Sequence, residues 1–176
     1  MEKTNRLLYE ILDWLKWILG ALILGLLINN FVLINANIPT GSMATTINPG
    51  DKVMGLRLAY LLSEPKRGDI IIFKMPDDET LPPYVKRLIG LPGETVEITE
   101  GSVLINGTPL PEPYLHTTTN GHFGPYEVPE GHYFFLGDNR GNSLDSRYWS
   151  NTFVAKKKLM GKVLFKYSPE FMWYSN

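Results

Sequence analysis

Thr95-Val-Glu-Ile-Thr99 and Ser102-Val-Leu-Ile-Asn106-Gly107-Thr-Pro-Leu110 are the most informative segments of this 176-residue sequence. The first segment alternates polar and apolar side chains at period two, as a half-buried strand does. The second has the dipeptide Asn106-Gly107 between two apolar runs, and this dipeptide is the strongest short-range signal for a tight hairpin turn. Both segments therefore predict antiparallel β-structure.

Other parts of the chain extend the same prediction. Asp69-Ile-Ile-Ile-Phe-Lys74 is a short run of β-branched and aromatic residues, and further strands are expected at 132–136 and 162–167. No helical periodicity stands out after the N-terminal region. The expected fold class is mostly β, with one N-terminal transmembrane helix followed by a β-rich domain.

The N-terminal region predicts a membrane anchor. Residues 1–16 mix charged and apolar residues as an amphipathic lead-in, and Trp17–Ile34 carries no charge. A helix over this uncharged run would be about 27 Å long, close to the thickness of a bilayer core. A cleavable signal peptide is a poorer match, because Ala36-Asn37-Ile38 is not a small-x-small site. A buried core helix is the other alternative. It is disfavoured because Trp14 and Trp17 flank the start of the run, as aromatic residues do at a membrane interface.

Charge on the two sides of this run predicts its orientation. Lys3, Arg6 and Lys16 precede it, and the next basic residue is Lys52. By the positive-inside rule the N-terminus is then cytoplasmic. The predicted division is a lead-in over 1–16, a span over 17–34 and an extracytoplasmic domain over 35–176.

Composition excludes several classes of function. The formal net charge is −1, and no basic recognition element is visible, so nucleic acid is not an expected partner. The chain has no cysteine, which excludes disulfides, thiol catalysis and thiolate metal sites. Motifs for nucleotide binding, zinc proteases and the nucleophile elbow are also absent. The three histidines, His116, His122 and His132, have no ligand-like companions and are expected at the surface or in turns.

Two residues remain as candidates for nucleophilic catalysis. Ser42 follows Gly41 on a tight bend shortly after the predicted span, although an ordinary polar turn has the same sequence. A serine hydroxyl needs a base, and a lysine kept neutral by desolvation can act as one. Lys86 lies between apolar neighbours on an apparent strand and is the best such lysine, although strand lysines are usually solvated.

A polar segment, 137–147, completes the candidate site. It reads Gly137-Asp-Asn-Arg-Gly-Asn-Ser-Leu-Asp-Ser-Arg147 and follows a strongly apolar run. Short polar and charged side chains at this density can form a satisfied hydrogen-bond network that positions catalytic groups, or an ordinary surface loop.

In order and spacing, these segments resemble the type I signal peptidases, the bacterial leader peptidases that use a Ser-Lys dyad. The resemblance is carried by Pro39-Thr-Gly-Ser42-Met43, Pro49-Gly-Asp51, Arg67-Gly-Asp69-Ile-Ile-Ile-Phe73, Tyr84-Val-Lys86-Arg87-Leu-Ile-Gly90-Leu-Pro-Gly93 and Gly137-Asp-Asn-Arg140 through Asn142-Ser143 to Asp145-Ser-Arg147. The matching segments spread over residues 38–147. Residues 108–130, within that range, and 148–176, after it, carry little family-specific signal. One span and a short outer domain match the compact form of Gram-positive bacteria.

The resemblance implies a role for each matching position. Ser42 matches the nucleophile, Lys86 the general base and Thr40 an oxyanion hydroxyl donor. Ser143 matches the serine that hydrogen-bonds the lysine amine, and the matches to a supporting ion pair are Asp145 and Arg147. The positions that match the small, apolar substrate pockets are Ile38, Pro39, Met43, Ile47, Tyr84 and Val85.

The implied reaction is removal of signal peptides from exported pre-proteins, with small residues at −1 and −3 of the cleaved bond and no metal or cofactor. One departure is Thr45, which stands where the family commonly has proline. Self-cleaving LexA-like repressors share the chemistry and a related fold, but they carry a DNA-binding domain in place of an anchor. A catalytically silent, membrane-tethered scaffold domain of the same fold is the second alternative.

Overall fold

The N-terminal part of the chain is one long helix. The computed structural model describes residues 2–174, and helix α1 runs over Glu2–Leu27. A wider turn of π-helix, Ile28–Val32, follows without a break. The window Leu12–Val32 is long and apolar enough to cross a bilayer, and none of it is buried against the rest of the chain.

The end of this helix differs from the boundary expected from sequence. Leu33 and Ile34 extend the apolar run, yet both belong to strand β1. Ile34 is buried in an apolar cluster of the domain, so its side chain serves the protein core and not a lipid-facing surface. At the two ends of the predicted division, Met1 and residues 175–176 lie outside the described residues.

The rest of the chain is mostly β, which confirms the expected fold class. Besides α1 it contains one short helix, α2, over Ala59–Leu62, and 3₁₀ turns over Gly41–Met43 and Lys156–Lys158. The strands are β1 Leu33–Asn37, β2 Lys52–Leu56, β3 Ile70–Phe73, β4 Tyr84–Gly90, β5 Thr95–Thr99, β6 Ser102–Ile105, β7 Thr108–Pro109, β8 Phe123–Glu127, β9 His132–Leu136, β10 Val154–Ala155, β11 Leu159–Ser168 and β12 Met172–Trp173.

These strands form two sheets in which every neighbouring pair is antiparallel. The larger sheet has the order β1-β2-β11-β3-β4-β9-β10, and β12 pairs with β11. The smaller sheet has the order β7-β6-β5-β8. Strand β4 therefore lies well inside the larger sheet, between β3 and β9.

The Asn-Gly hairpin forms where the sequence predicts it. Asn106 has φ 51° and Gly107 has φ 78°, so both turn residues adopt the positive φ that a two-residue hairpin turn requires. The turn joins β6 to β7 in the smaller sheet. From there the chain makes a long connection to β8.

The apolar run of β3 is buried on both faces. Ile70 and Ile72 belong to one core cluster, whereas Ile71 and Phe73 belong to another on the opposite face. A strand covered on both sides needs no polar alternation, which explains the continuous run of β-branched residues. Between the sheets, a Cβ on Gly90 would lie 2.5 Å from Val96 Cγ2, so only glycine fits this close approach.

Candidate active site

Ser42 lies on the 3₁₀ turn that follows β1. Its neighbour Met43 is fully buried and anchors the turn in the core. Asn139 holds the backbone of the turn from the other side. Its side-chain Nδ2 donates to the carbonyl of Gly41 at 2.9 Å, and its backbone N–H donates to the carbonyl of Ser42 at 3.1 Å. The Ser42 hydroxyl is thus presented on a backbone with fixed partners.

Lys86 lies on an interior strand of the large sheet and contacts Ser42. It lies on β4 opposite Ile71 of β3, and only 2% of the residue is exposed. Its Nζ donates a hydrogen bond of 2.5 Å to Ser42 Oγ. The candidate nucleophile and the candidate base are therefore in direct contact. Lys86 is buried, so it is not a solvated strand lysine.

Burial lowers the pKa of the Lys86 ammonium to about 8. Removal of water from around the charged form is the largest cause, and Arg147 lowers the pKa further. The carboxylates of Asp145 and Asp138 act in the opposite direction, since they favour the charged amine. A useful fraction of the amine is consequently neutral at mildly alkaline pH.

Thr40 lies beside the Ser42 hydroxyl. Its backbone is extended, with φ −121° and ψ 156°, and its Oγ1 is 3.4 Å from Ser42 Oγ. The Thr40 side chain is exposed, so an approaching ligand can reach its hydroxyl. The hydroxyl is close enough to act on an atom bonded to Ser42 Oγ.

Ser143 does not make the hydrogen bond that the resemblance implies. Its Oγ is buried and has no hydrogen-bond partner among the residues that the structure describes, and the hydrogen bond from Lys86 Nζ goes to Ser42 Oγ. Ser143 is nevertheless close to the site. A Cβ on Gly137 would lie 2.2 Å from Ser143 Oγ and 2.3 Å from the Ser42 carbonyl oxygen. Glycine at position 137 is what allows these residues to approach.

Asp145 and Arg147 form the expected ion pair. Arg147 donates from Nε to Asp145 Oδ1 at 2.8 Å and from Nη2 to Asp145 Oδ2 at 2.9 Å. Both side chains are almost fully buried. Asp145 Oδ2 also accepts from the backbone N–H of Gly137, and Arg147 Nη2 donates to the carbonyl of Arg140. This pair therefore fixes the polar segment internally.

Two further buried ion pairs border the site, and the sequence analysis assigned no role to them. Arg87 donates to both carboxylate oxygens of Asp138, at 2.9 and 2.6 Å. Arg140 donates to both oxygens of Glu112, at 3.0 and 2.5 Å. Three of these residues fall within segments that carry the resemblance. Glu112 lies in a stretch with little signal, and only tertiary structure reveals it.

An apolar cavity of about 220 Å³ opens beside Ser42 and Lys86. Five of the expected pocket residues line it: Ile38, Pro39, Met43, Tyr84 and Val85. Its remaining lining residues are Asn37, Thr40, Ser42, Leu81, Pro82, Pro83 and Lys86. The sixth expected pocket residue, Ile47, is not in the lining, and it is fully buried in the same core cluster as Met43.

The histidines lie away from the dyad contact. His116 and His122 are exposed, and the ring of His122 is hydrogen-bonded to Thr99. His132 Nδ1 is 2.9 Å from the carbonyl oxygen of Glu130 in its own turn. These positions agree with the surface and turn roles expected from sequence.

The chain matches one protein family over most of its length. The family profile described as "Signal peptidase, peptidase S26" matches residues 11–168. A Bacillus licheniformis protein named "Signal peptidase I" is 37% identical over 96% of this chain and 94% of its own length. A Leptolyngbya laminosa protein with the same name is 36% identical over 90% of this chain and 80% of its own length.

A solved structure is also similar. The crystal structure of a signal peptidase I from Enterococcus faecalis shares 39% identity and superposes with a TM-score of 0.50. The match covers 57% of this chain and 97% of the crystallised chain.

Proposed function

The chain belongs to the signal peptidase family, peptidase S26, and we propose that Ser42 and Lys86 are the catalytic dyad of this serine endopeptidase. A signal peptidase I is a hydrolase that removes signal peptides from exported pre-proteins. The observation that carries the proposal is the hydrogen bond of 2.5 Å between Lys86 Nζ and Ser42 Oγ, made by a lysine that is 2% exposed.

The first step is acylation of Ser42. Neutral Lys86 accepts the hydroxyl proton, and Ser42 Oγ attacks the carbonyl carbon of the residue at −1. The tetrahedral intermediate collapses when the lysine ammonium returns the proton to the leaving amine. The mature protein leaves, and the signal peptide stays esterified to Ser42. In the second step Lys86 activates a water that hydrolyses this ester.

The proton on Lys86 during these steps needs acceptors. A buried ammonium without partners is strongly disfavoured, whereas nearby carboxylates stabilise it. Asp145 and Asp138 supply that negative charge, since both raise the pKa of Lys86 against the larger effect of burial. Ser143 Oγ has an unused acceptor position. It accepts a hydrogen bond from the Lys86 ammonium after Lys86 has taken the proton of Ser42. Arg147 holds Asp145 in place.

Thr40 and the Ser42 backbone N–H stabilise the oxyanion. The exposed Thr40 hydroxyl, 3.4 Å from Ser42 Oγ, is within reach of an oxygen that becomes negative on the attacked carbon. The small apolar cavity beside the dyad accepts the side chains at −1 and −3, and its volume of about 220 Å³ favours alanine over large residues. Its walls are formed in part by Ile38 and Val85.

The membrane is the second proposed partner. The apolar helix spans the bilayer once within the window Leu12–Val32. Its N-terminus is cytoplasmic and the peptidase domain is extracytoplasmic, because Lys3, Arg6 and Lys16 precede the uncharged run that begins at Trp17. Strand β1 begins at Leu33, directly after the span. Ser42 is thereby held close to the surface where a membrane-embedded signal peptide presents its cleavage site.

A catalytically silent scaffold of the same fold is not favoured. A desolvated lysine destabilises a fold, and a scaffold has no need of one, whereas Ser-Lys catalysis requires it. Cleavage of a pre-protein separates the two functions. We expect detergent-solubilised protein to release the mature product, Ser42→Ala to release none, and N-terminal sequencing to place the cut after a small residue. Equal cleavage by Ser42→Ala would remove Ser42 from the mechanism.

A further inference from the structure

A connection of the small sheet reaches the active-site network of the large one. Glu112 lies between β7 and β8, and its carboxylate accepts two hydrogen bonds from Arg140, at 3.0 and 2.5 Å. It also accepts one from Tyr114 Oη at 2.6 Å. The Arg140 side chain is 0% exposed and that of Glu112 is 7% exposed. A bidentate pair of this kind holds its partners in one geometry.

The same connection contacts a second arginine of the site. The ring of Tyr114 lies 3.8 Å from Arg87 Cζ, as in a cation–π contact. Arg87 in turn donates to both oxygens of Asp138. The connection therefore contacts Arg87 through the ring of Tyr114 and binds Arg140 through the carboxylate of Glu112.

Asp138 and Arg140 are the two neighbours of Asn139. Asn139 is the residue whose N–H and side chain hold the carbonyls of Ser42 and Gly41, at 3.1 and 2.9 Å. The Glu112 contact thus ends on Arg140, directly beside Asn139, whereas the Tyr114 contact reaches the other neighbour, Asp138, through Arg87. Displacement of either arginine displaces Asn139, and a misplacement of about 1 Å in a catalytic group costs up to ~10²-fold in rate.

Charge balance gives Glu112 a further effect. Three buried arginines of the network are each paired with one buried carboxylate: Arg87 with Asp138, Arg140 with Glu112, and Arg147 with Asp145. Removal of the Glu112 charge would leave Arg140 as an unpaired buried cation. Its other acceptors are neutral, namely the carbonyl of Gly137 and the hydroxyl of Thr119. The segment would then move to hydrate the cation.

We propose that Glu112 and Tyr114 are positioning residues of the active site, which hold Arg140 and Arg87 so that Asn139 keeps Ser42 in its reactive position. This inference rests on the proposed Ser42-Lys86 dyad. Part of the catalytic framework then belongs to a connection outside strand β4 and the 3₁₀ turn, which carry Lys86 and Ser42.

The test compares two arginine–glutamate pairs, one next to Asn139, which binds the backbone of the Ser42 turn, and one without that connection. Glu112→Gln removes the charge behind Arg140. Glu94→Gln is the matched control, because Glu94 is also bidentate with an arginine, Arg67, at 2.9 and 2.5 Å but has no contact with Asn139 or its neighbours. On a soluble peptide with alanine at −1 and −3, we expect kcat of Glu112→Gln to fall by about 10-fold or more with KM within about twofold. Glu94→Gln should lower the Tm and leave kcat unchanged.

A second variant covers the case in which Glu112→Gln does not fold. Tyr114→Phe keeps the ring over Arg87 and loses only the hydroxyl that donates to Glu112, so we expect a smaller fall in kcat, about two- to fivefold, with KM unchanged. In a double-mutant cycle, Glu112→Gln and Arg140→Gln should be strongly non-additive in kcat.

A kcat of folded Glu112→Gln within twofold of wild type, an equal loss in Glu94→Gln, or an unchanged kcat in Tyr114→Phe would overturn the proposal. Ser42→Ala is assayed alongside: if it retains activity, the dyad is wrong, whereas an inactive Ser42→Ala with a fully active Glu112→Gln refutes only the positioning role.

Discussion

Lys86 Nζ lies 2.5 Å from Ser42 Oγ, although the two residues are 44 positions apart in the chain. The contact brings the short turn after β1 onto β4, an interior strand of the large sheet. Lys86 is buried there, and burial lowers its pKa to about 8. The position and the pKa of the Lys86 amine are therefore set by the same packing.

Activity should depend on the neutral form of Lys86. We expect kcat/KM to rise as the pH increases through about 8, because the neutral fraction of the amine rises through its lowered pKa. Lys86→Ala and Lys86→Arg should each lower kcat by at least ~10³-fold, the latter because a guanidinium stays protonated. Lys74→Ala, at an exposed lysine, is the control and should match wild type. Robust cleavage by either Lys86 variant would exclude this residue as the base.

Lys86 should also reduce stability at neutral pH. Its pKa of about 8 in the folded protein is below the value of an unfolded lysine, so the unfolded state binds more protons above pH 8. We expect Lys86→Met to raise the free energy of unfolding at pH 6 by about 1–3 kcal/mol. The advantage of the variant should shrink between about pH 8 and 10, as wild type gains stability. Denaturant unfolding at several pH values measures this, and a difference that does not vary with pH would contradict the expectation.

Thr40→Val should slow the chemical step. Valine keeps the shape of threonine but lacks the hydroxyl that lies 3.4 Å from Ser42 Oγ. If this hydroxyl stabilises the oxyanion, kcat should fall by about 10²–10³-fold, or ~2.7–4 kcal/mol, while KM changes little. Thr40→Ser retains the hydroxyl and should keep most activity. A Thr40→Val variant with kcat within twofold of wild type would assign the oxyanion hole to other groups.

Substrate choice should follow the size of the cavity beside the dyad. Alanine at −1 fits a cavity of about 220 Å³ that must also hold the −3 side chain, whereas phenylalanine meets the walls near Ile38 and Val85. We expect a peptide with phenylalanine at −1 to be cleaved with kcat/KM lower by about 10²-fold or more, since overpacking of this kind costs ~1–3 kcal/mol or more. Equal cleavage of the alanine and phenylalanine peptides would refute this pocket.

Topology can be tested on whole cells. Because the lysines and the arginine before the span favour a cytoplasmic N-terminus, protease added to spheroplasts should digest the domain that begins at β1. The control is an epitope tag placed before residue 1, which should stay protected until the membrane is permeabilised. Full protection of the domain and digestion of the tag would reverse the orientation.

Much of the fold follows from interactions between near neighbours in the chain. Asn106 and Gly107 form the predicted turn, because both residues accept positive φ regardless of what surrounds them. The run Ile70–Phe73 is rich in β-branched residues and apolar at every position, and this local composition is sufficient to predict a strand. The long uncharged N-terminal run likewise indicated a helix that exposes apolar side chains.

The chemistry of the site depended on contacts between distant segments. What the Lys86 amine contacts is decided by the turn that carries Ser42, which lies 44 positions earlier in the chain and packs against β4. The same holds for Ile47, which the core takes away from the pocket, and for Ile34, whose apolar side chain packs in the domain and not in the span. Glu112 reaches Arg140 across 28 positions, and no local pattern records that ion pair. Periodicity and turn chemistry depend on residues close together in the chain, whereas desolvation and pairing of charges arise only when segments far apart in the chain pack together.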